Sequence, residues 1–401
     1  MPASTGVNGA TPNGPATAGP TTNGQPPTAD APLLGAAPYF NGGGVYHGER
    51  GWFTADYLVG WFEGTGVPPL VTTAAPGTPQ NIAGILSAPS TSILFGNDSV
   101  NNDARSGVRL QAGYWIDEAR TLGVEIGFMM LESQSTLFSA VSDGSTILAR
   151  PFANPVNNTQ QAVLVAFPGQ SAGTIDARAG SGNFYEAHFD LAEKIWDEER
   201  FRITTLVGYR YYRMDDSLDI RQTIFPAGPN FVPGTSVLTV DGFSAHNEFH
   251  ALDMGGRFQF FWDNLGVDFL AKLAVGRLHR DVSVGGTQFT TVPGLAPVTL
   301  KGGFLALSSN SGDFHNDDWT LMPELGLNLN WRVNDNVRLR FGYSVLFLTD
   351  IARAASHVDL RVNPTLLPPQ QTLVGPNLPG FTFQREDVWL QTVNFGVEFT
   401  F

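Results

Sequence analysis

The chain ends on WLQTVNFGVEFTF, residues Trp389 to Phe401, and no other segment limits the possible folds as strongly. Trp389, Val393, Phe395, Val397, Phe399 and Phe401 occupy odd positions. Thr392, Asn394, Gly396, Glu398 and Thr400 occupy even ones, and Gln391 is the one interruption. A period of two gives an extended strand one apolar and one polar face. Such a strand, ending the chain on an aromatic carboxyl terminus, suits the last strand of an outer-membrane β-barrel. Hydrocarbon offers no water to backbone groups, so only helices and closed barrels cross it with every N–H and C=O paired.

Nine further segments alternate in the same way: 51–62, 105–115, 120–131, 183–195, 200–213, 248–262, 265–278, 319–331 and 337–348. In 265–278, for example, Leu265, Val267, Phe269, Ala271, Leu273 and Val275 oppose Asp268 and Lys272. Four connections are tight, around Asp117–Glu118, Asp197–Glu199, Asp263–Asn264 and Asn334–Asn336. Five are long: 63–104, 132–182, 214–247, 279–318 and 349–385. Short and long alternate without exception, which is the arrangement of periplasmic turns and outer loops in bacterial barrels. The expected fold is therefore all-β: a closed antiparallel transmembrane barrel of ten strands over residues 45–401. Twelve strands are the alternative if 132–182 hides a hairpin. An even count puts both chain ends on the periplasmic side.

Composition agrees. Charged residues make up 15%, against about a quarter in ordinary soluble domains, and no apolar run approaches the roughly 18 residues of a transmembrane helix. Cysteine is absent, which excludes disulfides, zinc–thiolate sites and thiol nucleophiles. The net charge of −14 argues against nucleic acid as a partner. Residues 1–44 are rich in Pro, Gly, Thr and Ala and are expected to be disordered. They lack the basic start and apolar stretch of a signal peptide, so an export signal is expected upstream or already removed.

The polar faces supply the candidate site. Asp56, Arg109, Glu125, Glu186, Lys194, Arg202, Arg210, Asp253, Arg257, Asp268, Lys272, Glu324, Arg338, Arg340 and Glu398 all have lumen parity and are expected to line a pore. Across the tight turns, Glu186 is expected opposite Arg210, Arg109 opposite Glu125, Arg257 near Asp268, Asp253 near Lys272, and Lys194 near Arg202. Trp61, Trp262, Trp319, Trp331, Trp389 and Phe401 have lipid-face parity near strand ends, as in the aromatic girdles of membrane interfaces. Trp52, Trp115 and Trp196 have the opposite parity and are expected at the periplasmic lip or inside it.

Several segments together resemble a known family of bacterial outer-membrane β-barrel porins. They are PPLVTT at 68–73, STSILFGN at 90–97, SGVRLQAGYW at 106–115, LVGYRYYRMDD at 206–216, GGFLALSSNSGDF at 302–314, MPELGLNLNW at 322–331, HVDLRVNP at 357–364 and the closing VNFGVEFTF. The resemblance covers about residues 50–401. It implies an outer-membrane barrel and carries over no catalytic or ligand residue.

The expected function is passive diffusion of small solutes through a polar lumen. The alternatives are a non-conducting structural or surface-interaction barrel and, third, a hydrolase at the barrel rim. A ten-stranded barrel is narrow, because eight strands are filled by their own side chains and open channels need about sixteen. No enzyme activity, cofactor or metal is expected. The best catalytic candidates, Asp241, His246, His250 and Asp253, and the acidic groups Asp313, Asp317 and Asp318 or Asp98 and Asp103, read as solvated loop or lumen residues. Expected partners are outer-membrane lipid, the barrel assembly machinery through the C-terminal strand, and lateral neighbours or further copies. The long loops are poor in charge and rich in Pro, Thr, Phe, Leu and Ala, so they are expected to fold into the barrel mouth or against neighbouring molecules.

Overall fold

The computed structural model describes residues 50–401; the segment 1–44, expected to be disordered, lies outside the described residues. Ten long strands follow one another: β1 (Gly51–Phe62), β2 (Arg105–Trp115), β3 (Leu122–Leu131), β4 (Phe184–Asp197), β5 (Phe201–Pro226), β6 (Ser236–Trp262), β7 (Leu265–Thr291), β8 (Gly312–Arg332), β9 (Val337–Ile351) and β10 (Glu386–Thr400). Consecutive strands pair antiparallel, and the ladders lead round a ring of about ten strands. β10 lies against β1 from Trp52↔Thr400 to Phe62↔Leu390. The described residues contain no α-helix.

Alternation in the sequence becomes alternation in space. On β10, Thr392 and Asn394 are buried toward the interior while Phe395 and Phe399 are exposed outside. The interruption at Gln391 also faces outward, where its side chain accepts a hydrogen bond from the Tyr343 hydroxyl at 2.5 Å. β4 breaks the parity once. A register shift between Lys194 and Trp196 exposes both Ile195 and Trp196, so Trp196 lies on the outer face rather than at the lip or inside. Trp52 and Trp115 do turn inward and pack at 5.4 Å between ring centroids.

The upper connections depart most from expectation. β5, β6 and β7 are 26, 27 and 27 residues long, so much of 214–247 and 279–318 is strand rather than loop. About 9–11 tilted residues cross a membrane, so these strands form a wall that stands far above any apolar belt. The segment 132–182 does hide strands, but they raise the ring instead of widening it. Gln134–Ser142 continues the line of β3, and Ser171–Ser181 continues that of β4, pairing with the upper part of β5 from Ser171↔Pro226 to Ser181↔Asp216. The hairpin therefore adds no strand to the lower part of the ring.

The charge-poor loops pack on the inner face of this wall. Leu70 and Val71, Leu148, Phe152 and Val165, Phe304 to Leu307, and Val362 and Leu366 meet Ile175, Leu218, Ile220, Phe243, Val282 and Val284 in one buried core. Asp241 ties them down. Its Oδ1 accepts the backbone N–H groups of Phe304, Leu305 and Ala306 at 2.7, 2.8 and 2.9 Å, and its Oδ2 accepts Arg150 Nη1 at 2.8 Å. Arg150 and Asp241 are both fully buried, and the guanidinium also lies over the Phe304 ring.

Two predictions follow from these anchors. Removing one partner of a buried ion pair costs about 3–5 kcal/mol, so Asp241→Ala is expected to release the 302–311 and 143–170 segments. Limited proteolysis of the folded protein checks this: the wild type resists cleavage there and the variant is cut. At the turn after β2, the Asp117 carboxylate accepts from the Thr121 hydroxyl at 2.7 Å and from the Thr121 and Leu122 N–H groups at 2.9 and 2.8 Å. The hydroxyl bond first, then the backbone bonds, lower its pKa from 3.8 to about 2. A depressed carboxyl stabilises the fold above the ordinary carboxylate range, and that contribution disappears as pH falls through about 2. A carboxyl NMR titration with its midpoint near 4 would contradict the turn geometry.

Candidate functional site

All fifteen residues expected to line the lumen lie on the inner face of the ring, but they face one another more than they face water. Near the short-turn end, Arg338 pairs with Glu398, and Asp268 accepts Gln259 Nε2 at 3.1 Å. Arg202 and Lys194 meet through a shared carboxylate, Asp197, at 2.8 and 3.2 Å. The Lys194 ammonium also lies 4.3 Å from the centre of the Trp115 ring. Apart from Asp197, these groups, with Arg340, Glu125 and Arg257, surround a polar cavity of about 100 Å³.

Further in, Arg257 forks onto Glu125 at 2.5 and 2.7 Å. Arg210 is held by three acids, Glu324 at 2.6 Å, Asp253 at 3.0 Å and Glu186 at 3.4 Å. Lys272 bridges Asp253 and Asp190 at 2.5 and 2.6 Å. His188 Nδ1 lies 3.0 Å from Glu186. Arg109 donates to Ser344 at 3.0 Å and Thr392 at 3.4 Å. Asp56 is buried beside it on β1, with neither carboxylate oxygen hydrogen-bonded among the described residues.

The pairings expected across tight turns are partly replaced by pairings across the lumen. Glu186 with Arg210 and Asp253 with Lys272 are found. Glu125 is instead opposite Gly113 in the ladder and reaches Arg257 on the far side. Asp268 does lie near enough to Arg257 for their charges to interact, but its hydrogen-bonding neighbour is Gln259. Parity fixes the face of a side chain, but in a narrow ring a long side chain reaches the opposite wall as easily as the next strand. His188 and Asp190 belong to the same cluster and shared its parity in the sequence. Gly127 makes room for the His188 ring, since a Cβ there would stand 2.1 Å from it.

Above this charged layer the interior is apolar from wall to wall. Leu58, Phe62, Met129, Leu131, Phe184, Tyr212, Met214, Phe249, Leu278, Met322, Leu346, Leu348 and Leu390, with four further residues, form one cluster at 0–4% exposure. They come from every ring strand except β2. At this level β2 has Gly107, whose absent side chain admits Leu131; a Cβ there would stand 2.5 Å from Leu131 Cδ2. Phe62 and Phe184 meet edge to face at 5.5 Å. Above this layer charge returns in closed form: Arg353 binds Asp216 at 2.6 Å and also the Thr65 hydroxyl, and Arg105 donates to the Ser181 hydroxyl at 3.3 Å.

The rim candidates do not converge. Asp241 and Asp253 point inward, the first into the loop clamp and the second into the charged layer. His246 and His250 point outward, against Asp215 and the Tyr209 hydroxyl. Asp317 and Asp313 are also outward, while Asp318 takes Arg280 and Arg385 at 2.8 and 2.5 Å. Asp98 lies in the short strand Asp98–Val100, and Asp98 and Asp103 are exposed. The six aromatics of lipid-face parity lie on the outer face of the ring: Trp262, Trp319, Trp331 and Phe401 are exposed, and Trp61 and Trp389 are half-buried.

Residues 52–401 match the family described as "Putative beta barrel porin-7", and the chain belongs to that family. No curated protein sequence matches it. Among solved structures, it is similar to the outer membrane protease OmpT from Escherichia coli, at 7% identity over 87% of this chain and 97% of the other, with a TM-score of 0.39. A Pseudomonas aeruginosa FadL homologue shares 8% identity over 88% and 91% of the two chains, TM-score 0.23. The P. putida toluene transporter TodX shares 5% over 89% and 91%, TM-score 0.22. Likeness at these scores carries no functional argument.

The charged layer gives a direct test. Arg210→Met leaves Glu186, Asp253 and Glu324 facing one another without their shared cation. Breaking a buried ion network from one side costs about 3–5 kcal/mol. The variant is expected to unfold in urea with a correspondingly lower stability, whereas Arg277→Met on the exposed face changes it by less than about 1 kcal/mol.

Proposed function

We propose that the ring is a closed ten-stranded outer-membrane barrel, with the start of β1 and the end of β10 on the periplasmic side, and that in this conformation it is a sealed, non-conducting envelope protein. The apolar layer carries this reading. Its side chains face the lumen yet are almost inaccessible to water, so no aqueous path runs past them. The loop core fills the mouth above as a second closure. Outer-membrane lipid covers the apolar outer face, and the C-terminal strand with Phe401 is the segment presented to the barrel assembly machinery. The tall wall projects from the cell as a surface for contact with neighbours or further copies. The proposal includes no catalytic step.

A pore that opens is the second reading, favoured by the polar cavity below the apolar layer and by the family description. Passive diffusion of small solutes requires the apolar layer to part. Planar-bilayer recording of the refolded protein separates the two. The sealed reading expects no steady current steps in the wild type, and steps in the double variant Phe62→Ala, Phe184→Ala. Stable ohmic steps in the wild type would overturn it in favour of the pore. A silent double variant that still shows heat-modifiable migration would mean the apolar layer is not the barrier.

A further inference from the structure

The outer face of the tall wall carries a histidine–carboxylate lattice that neither the lumen nor its closure uses. The ladder sets Glu248, His279 and Asp317 in one row across β6, β7 and β8, and His246, Asp281 and His315 in the next. In each row acids and imidazoles alternate. His279 Nε2 lies 3.2 Å from Asp281 Oδ2, and His315 Nδ1 contacts Oδ1 of the same carboxylate. The two imidazole rings are nearly parallel, 9° apart, at 6.4 Å between centroids. One donor atom from each of the three residues lies within 4.8 Å of the other two.

We propose that His279, Asp281 and His315 bind one divalent transition-metal ion of the zinc class, which clamps the upper half of β8 to β7. Two imidazole nitrogens and one carboxylate oxygen form a three-ligand set with room for water, suited to zinc, nickel or copper rather than calcium or magnesium. Asp317 adds the supporting element. Its carboxylate contacts His279 Nδ1, where it can accept the ring proton and leave Nε2, on the Asp281 side, to bind the ion. A carboxylate behind a ligating histidine is a recurrent way of orienting the ring and raising its basicity. Arg277 pairs with Asp317 at 3.1 Å, so its charge is met outside the three-donor set.

The location gives the ion a task. The ladder between β8 and β9 begins only at Glu324, so Gly312–Pro323 is paired as strand on one side alone. Such an edge frays or recruits other strands. His315 sits on this edge, and Asp281 and His279 sit on the strand that holds it. An ion bound to all three would cross-link the edge to the wall. In sequence the signal is His279-x-Asp281 at strand spacing; the third donor is 34 residues from Asp281 and is supplied only by register.

The test uses the full refolded chain without a polyhistidine tag, titrated with zinc chloride by calorimetry and with cobalt chloride by visible absorption. One ion per chain is expected. Affinity should fall at least tenfold in His279→Ala, in His315→Ala and in Asp317→Asn, and remain unchanged in His250→Ala. Zinc should slow amide exchange over residues 312–323 in the wild type but not in His315→Ala. Heat-modifiable migration of each variant confirms folding. Equal binding in the His279→Ala, His315→Ala double variant, or no binding in the wild type, would overturn the proposal. Loss of binding in His246→Ala alone would place the ion on the Asp215–His246–Glu248 group and overturn it as well.

Discussion

A ring this narrow has no room to hydrate the charges its strands point inward, and that constraint shapes the interior. Most inward charges meet other charges, and Asp56 and Arg109 are the exceptions on β1 and β2. Arg210 with its three acids, Lys272 between Asp190 and Asp253, and Arg257 forked on Glu125 are its consequences. Such clusters are weak sources of net stability, because desolvation offsets much of the attraction. They are strong sources of specificity, because each register slip would leave an unpaired charge in the lumen.

The interior is layered for the same reason. Where the polar side chains stop, Leu, Met and Phe close the cross-section, and water has no place between them. Above that layer, Arg353 with Asp216 and Arg150 with Asp241 attach the folded loops to the wall. These loops are apolar because they are core, not surface. Asp241 then acts as a latch for two segments at once: its Oδ2 holds the hairpin at 148–166 through Arg150, and its Oδ1 holds the backbone of 304–306.

Outside, the same strands change character along their length. The lower parts carry the Leu, Phe and Trp face expected of contact with lipid. Above Trp319 on β8 the outward residues become His, Asp, Glu and Arg. This change marks where β5 to β8 leave the apolar belt. The alternating segments stop being apolar there, and for that reason the sequence shows the lower strands clearly and the upper ones not at all.

The period-two pattern by itself determined the all-β architecture, the alternating segments, their inner and outer faces and the four tight turns, and it put Asp56 and Glu398 on the same inner face as the other charged residues. Those properties depend only on which side of a strand each residue occupies, and that side is written residue by residue. Partners were a different matter. Glu125 found Arg257 instead of Arg109, Asp241 found two folded segments instead of solvent, Trp196 was turned outward by a shift in register, and His315 came to lie against Asp281. Each of these depends on register, bulges or reach across the lumen. These are relations between distant parts of the chain, and only the tertiary structure decides them.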